Sequence, residues 1–261
     1  MDKARLAARV RLVSGIILSF FVMTHLLTHM VGLISLAAME EANKVFTGFW
    51  HLPLLSWLVP ICLVLHAGFA VAWILSKKSL RMKRREAIQV VLGITIPTIL
   101  LVHIVATRGV ELAYGIEVNY SKYFLVDFTN TLVAMGSLTI ITCAHAWMGF
   151  QRRYRQRSWF AGTAAIQIVL VSTLAIGAIL GATKGAREVQ RHKVDQTWLG
   201  QLVGGDAKSP EELHDFQYKA GPLAVTAYLM ILGVALVWRQ RRQKGSGQKH
   251  QRQDPPLRKV G

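Results

Sequence analysis

Six stretches of this chain, roughly residues 12–38, 53–76, 87–107, 124–150, 159–182 and 216–238, run for twenty residues or more almost without charge. A helix rising about 1.5 Å per residue crosses a hydrocarbon core of about 30 Å in some twenty residues, so each stretch is long enough to span a bilayer. A soluble chain breaks its apolar residues into short amphipathic runs; here 52% apolar content and a mean hydropathy of +0.34 are gathered into blocks. The fold class that follows is all-α, an integral membrane six-helix bundle. The first block is too long for the 7–15-residue apolar core of a signal peptide and carries two histidines, so it reads as a retained helix.

Charge then gives orientation. The formal charge is +17, from 31 Lys and Arg against 14 Asp and Glu, a balance that in a soluble chain would suggest nucleic acid. Its distribution says otherwise. Segments 1–11, 77–86, 151–158 and 239–261 hold 4, 6, 4 and 8 basic residues, whereas the opposite loops hold 9 against 11 acids. Positive residues stay on the cytoplasmic side, so both termini are expected there, with anionic headgroups or an acidic partner rather than nucleic acid as the counter-charge.

Five histidines fall inside the spans: His25 and His29 on the first, His66 on the second, His103 on the third and His145 on the fourth. An ionisable or metal-binding side chain at bilayer depth is costly without a partner and by default marks function. Counted from the basic rims, His66 and His145 lie roughly 16 and 10 Å deep, and His25, His29 and His103 roughly 21, 27 and 26 Å deep. In an up-down-up-down bundle helices one and three face each other across one diagonal, and helices two and four across the other. Each diagonal can grip one flat cofactor between two imidazoles, which is the axial ligation a haem needs, and two depths give two haems. Spacing i, i+4 puts His25 and His29 on one face, and depth does not choose between them as ligand. Arg108, five residues beyond His103, is placed to pair with a haem propionate. A metal transporter, the rival reading, would gather its histidines at one level.

The remaining features are structural. Cys62 and Cys143 sit at different depths and read as packing residues rather than a disulfide. Gly177 and Gly181 form a small-xxx-small face on the fifth span. Ser209-Pro210-Glu211-Glu212 is a helix start, with a cap residue, a proline at the first position and a carboxylate three residues after the cap, so the sixth helix begins outside the membrane. Gly221-Pro222 is placed to kink that helix. Residues 243–261, polar, basic and containing Pro255-Pro256, read as a flexible tail or linker after a membrane domain over 1–242.

One intramembrane histidine on each of four successive helices resembles the dihaem cytochrome b membrane subunits of succinate dehydrogenase and fumarate reductase. A closer resemblance covers almost the whole chain. The stretches Thr24-His25-Leu26-Leu27-Thr28-His29-Met30-Val31-Gly32-Leu33, Leu80-Arg81-Met82 leading to Glu86-Ala87, Ile96-Pro97 with His103 and Thr107-Arg108, and Gly185-Ala186-Arg187-Glu188-Val189 are similar to the six-helix membrane anchor of certain bacterial adenylate cyclases. There the anchor is followed by a ferredoxin-type iron–sulfur module and a cyclase domain. The resemblance implies a four-helix core with two packing helices and two b haems, one held by His25 and His103 and the other by His66 and His145. It favours His25 over His29, because the family's His-Leu aligns with His25-Leu26.

Arg11-Leu12-Val13-Ser14-Gly15 is similar to the Arg and Ser entry that lies near the quinone in the dehydrogenase subunits, which implies quinone contacts at Arg11 and Ser14. No four-cysteine cluster and no cyclase catalytic segment is present, so this chain by itself does not make cyclic AMP. The expected function is a membrane dihaem cytochrome in the bacterial cytoplasmic membrane, exchanging electrons with the quinone pool. It would act as a redox-sensing anchor for a cyclase output domain or, alternatively, as a free-standing electron-transfer subunit docking an iron–sulfur or flavoprotein partner; a haem-free transporter is the third reading. A homodimer is left open, as is truncation from a longer protein.

Overall fold

A computed structural model describes residues 3–77, 79–126 and 129–253, with side chains left undescribed at 129–131 and 244–253. The described residues form an all-helical bundle without strands, 87% helix, in which six helices are long and apolar enough to cross a membrane. In chain order the elements are α1 (Lys3–Val31), α2 (Leu36–Trp50), α3 (Pro53–Ser76), α4 (Arg84–Ile104), a π-helical turn (Val105–Gly109), α5 (Val110–Tyr114), α6 (Tyr120–Val126), α7 (Thr129–Tyr154), α8 (Ser158–Ala161), α9 (Ala164–His192), α10 (Gln196–Val203) and α11 (Pro210–Gln253). The spans are α1, α3, α4 continued through α5, α7, α9 and α11. The chain is therefore a multi-pass membrane protein whose long apolar faces meet lipid.

The first span differs from its expected extent. Helix one was expected over 12–38; α1 ends at Val31, the chain turns through 32–35, and α2 begins at Leu36. Close packing forces the break. Gly32 lies so near α9 that a Cβ there would come 2.5 Å from the Gly181 carbonyl oxygen. Ser35, extended at φ −166° and ψ 165°, restarts the helix, its hydroxyl accepting from the Ala38 N–H at 3.1 Å. From α9, Lys184 donates to the freed carbonyls of Leu33 (2.8 Å) and Ile34 (2.9 Å), while Glu188 accepts from the Leu36 N–H (3.0 Å). The small-residue face of α9 allows that approach: Gly177 meets Met30, Gly181 the His29 carbonyl and Gly185 Met39.

Each diagonal of the bundle is held from its sides. Helix α1 packs on α3 and α9, α7 packs on α4 and α9, and α11 lies along α4. The tight apolar clusters sit at one rim and along one helix seam. One, with Leu36, Met39, Tyr120, Phe124, Ala186 and Val189, closes the rim remote from the termini; another, with Leu26, Cys143, Ala175 and Ala178, fills the seam of α1, α7 and α9. By contrast α4, between α7 and α11, buries no residue fully, and α3 buries only Cys62 and Ile74. At the rim that carries both termini, buried Arg239 of α11 donates to the Lys77 carbonyl at the end of α3 (2.7 Å) and Gln243 donates to it at 3.1 Å.

At the start of α11, Ser209 and Glu212 make the reciprocal capping bonds, Glu212 N–H to the Ser209 hydroxyl at 3.3 Å and Ser209 N–H to the Glu212 carboxylate at 3.0 Å. Pro222 lies inside this helix. The backbone of α11 continues as helix through Gln253, into the stretch read as a flexible tail from 243; residues 254–261 of that tail lie outside the described residues.

Candidate cofactor-binding site

The five intramembrane histidines fall into two groups at different heights. On α1, Gly15 touches the His66 ring, and His25 follows ten residues later; on α4, Gly93 touches the His145 ring, and His103 follows ten residues later. Ten residues of helix are about 15 Å. Each group therefore bridges one diagonal, α3 to α7 nearer the termini and α1 to α4 nearer the remote rim.

At the lower level the His66 and His145 ring centres are 6.2 Å apart at an interplanar angle of 83°. His66 donates its Nδ1 proton to the Arg11 carbonyl at 3.0 Å, with the buried Ser14 hydroxyl 3.5 Å from the same nitrogen, so its Nε2 keeps the lone pair. The hydroxyl itself donates to the Val10 carbonyl at 2.7 Å. The two glycines make room for the rings. A Cβ on Gly15 would fall 2.9 Å from Cε1 of His66, and one on Gly93 would fall 2.9 Å from Cε1 of His145. Gln89 of α4 donates to the His145 carbonyl at 3.0 Å, whereas the His145 Nδ1 is buried and has no partner among the described residues.

At the upper level His25 and His103 have ring centres 6.0 Å apart at 49°. His29 joins them, its Nε2 3.2 Å from that of His25. Helix α6 adds two tyrosines. The Tyr123 hydroxyl is 3.2 Å from the His103 Nδ1, and Tyr120 lays its ring edgewise on His29 at 5.0 Å while its hydroxyl shares a 2.5 Å hydrogen bond with Thr28. Burial pushes the Tyr120 phenol well above its ordinary value, against a smaller opposing effect of that hydrogen bond, so it stays protonated at neutral pH. Phe21 stacks along His25, and Phe46 of α2 leans on it at 5.2 Å.

These distances bear on what the pairs can hold. Two imidazoles on one metal, with bonds of about 2.0–2.1 Å and a ring radius near 1.1 Å, have ring centres about 6.3 Å apart. Both pairs lie close to that separation. A bare structural cation asks for three or four ligands, and no group of three or more His, Cys, Asp or Glu able to hold a metal ion is present among the described residues. A haem asks for two axial ligands, so the donor set suits that group better than an isolated ion.

Arg108, expected beside a propionate, lies in the π-helical turn; its guanidinium pairs with Glu111 at 2.5 Å and lies 3.5 Å from the His51 Nε2, at the half-exposed remote rim. Arg11 sets its guanidinium over the Trp73 ring at 5.3 Å, and Lys77 and Arg152 crowd the same ring at 4.4 and 5.5 Å. Between α1 and α3, Arg9, Val10, Val13, Ser14, Cys62 and Leu65 line an apolar groove of ≈ 280 Å³, which Ser14 reaches and Arg11 does not line. Tyr120, Tyr123 and Gly93 were not among the residues singled out from sequence, and Gly15 entered only as the end of the Arg11–Gly15 stretch. The shared pattern of glycine ten residues ahead of histidine, at Gly15–His25 and Gly93–His103, was the legible signal for the two glycines.

Set against known proteins, the chain matches no family model, no curated protein and no solved structure.

Proposed function

We propose that this protein is a membrane dihaem b-type cytochrome that exchanges electrons with quinone, with His25 and His103 holding one haem and His66 and His145 the other. The observation that carries the reading is the pair of histidine bridges, each near 6 Å between ring centres, spanning two diagonals about 15 Å apart in height.

Bound haem would supply one-electron transfer. The rest is the work of this chain. His66 and His103 each have an Nδ1 partner that orients the ring. Gly15 and Gly93 keep the rings of His66 and His145 clear of α1 and α4. The aromatic side chains Phe21 and Phe46 keep the upper site apolar. Ser14, which lines the apolar groove on α1 and α3, and Arg11, three residues earlier on the same helix, are the proposed quinone contacts. Their Arg11 carbonyl and Ser14 hydroxyl both approach the His66 Nδ1, which couples a quinone there to the lower site.

By charge the termini face the cytoplasm of a bacterial cell, and the output reading follows from α11. That helix grips the end of α3 through Arg239 and Gln243 and continues to Gln253, a helical link from the His66 helix toward a cyclase or other soluble partner. A pyridine haemochrome assay with an anaerobic redox titration tests the reading. About two b haems per chain and two separable couples are expected, and fewer than about one and a half per chain overturns it.

A further inference from the structure

Helix α6 has seven residues, too few to hold a helix alone, yet it is fastened at both ends and in the middle. Glu40 of α2 accepts from the backbone N–H of Tyr120 (3.3 Å) and Ser121 (2.7 Å) and from the Ser121 hydroxyl (2.7 Å). Asn119 accepts from the Lys122 N–H at 2.9 Å, and the Lys122 ammonium makes a largely buried ion pair with Asp206 at 2.6 Å. Gln190 of α9 donates to the Phe124 carbonyl at 3.2 Å, and the Phe124 ring is buried against Met39, Ala186 and Val189. Three other parts of the fold are thus spent on holding one short helix still. What that helix carries into the bundle is Tyr120 and Tyr123, one turn apart, against His29 and His103.

We infer that Tyr123 is a positioning residue for His103: its oxygen accepts the Nδ1 proton at 3.2 Å, which leaves the Nε2 lone pair as the metal-binding electron pair, and the α6 fastenings hold that oxygen in place. The inference rests on the dihaem reading above. A neutral imidazole carries one proton, so a partner at one nitrogen decides the role of the other. The two pairs share a plan. In each, one histidine has its Nδ1 engaged, His66 by the Arg11 carbonyl and His103 by Tyr123, while the Nδ1 of the other, His145 or His25, has no partner among the described residues. A ligand whose far nitrogen donates to an acceptor is the stronger electron donor. Tyr123 therefore favours the oxidised state of the upper haem, with no direct effect on the lower one.

The test is an anaerobic redox titration of the purified full chain and its Tyr123→Phe variant, with the upper couple assigned as the one lost in His103→Ala. The expected result is an upward shift of the upper midpoint in Tyr123→Phe, an altered low-spin ferric resonance from that haem, and an unmoved lower couple. If Tyr123→Phe does not accumulate, Lys122→Gln, which releases α6 from Asp206 without touching the ring, should shift the same couple in the same direction. Two haems bound with neither couple moved, or both moved equally, overturns the role of Tyr123. A wild-type chain without haem instead overturns the dihaem reading itself, and the inference with it.

Discussion

At the scale of single residues, the two levels make separable predictions. Replacing His66 or His145 by alanine should remove one redox couple and spare the other, read by optical titration; loss of both couples from either change would argue against two independent sites. Gly93 gives a test that leaves every histidine in place. A valine there puts its Cβ against the His145 ring, where 2.9 Å already separates the ideal position from Cε1. Gly93→Val should therefore lower the haem content to about one per chain by displacing that ring, as expected when bulk is forced into a filled contact. The histidines were legible in sequence because their chemistry is conspicuous at bilayer depth and counting residues gives height. Tyr123 was not, because nothing local says that a tyrosine beyond a span folds back over a histidine twenty residues earlier.

At the scale of elements, hydropathy located the six spans but not what lies between them. It ran the first span on to residue 38, since Leu33, Ile34 and Leu36 to Ala38 continue the apolar run, and the stop comes from tertiary crowding of Gly32 against Gly181. Helices α2 and α6 went unread for a different reason. At 15 and 7 residues they are shorter than a membrane crossing, and they are held by partners distant in sequence, Glu188 on the former and Gln190 on the latter. The α1–α9 seam should be sensitive to bulk. Gly181→Val directs a side chain into the His29 carbonyl and should lower stability by about 1–3 kcal/mol, measured as a reduced thermal midpoint in detergent. The capping box of α11 is milder: Ser209→Ala should cost about 1 kcal/mol, with both redox couples unchanged.

At the scale of the whole molecule, orientation is the first thing to check. Reporter fusions at position 243 and in the loop near position 206 should be active on opposite sides of the membrane, with 243 in the cytoplasm; the reverse would invert the assignment of upper and lower sites. The distribution of tight packing carries a different consequence, for how the protein is made. Its firm contacts, the α1–α9 glycine seam and the cluster around Met39 and Phe124, join the chain's own atoms, Tyr120 beside His29 among them, and none of them runs through a cofactor. The bundle can thus be threaded into the bilayer and closed by its own side chains before anything is loaded, so that insertion and maturation become successive events. Cells starved of the haem precursor should accumulate the full-length chain in the membrane, resistant to proteolysis, and colour should return on resupply without new protein synthesis.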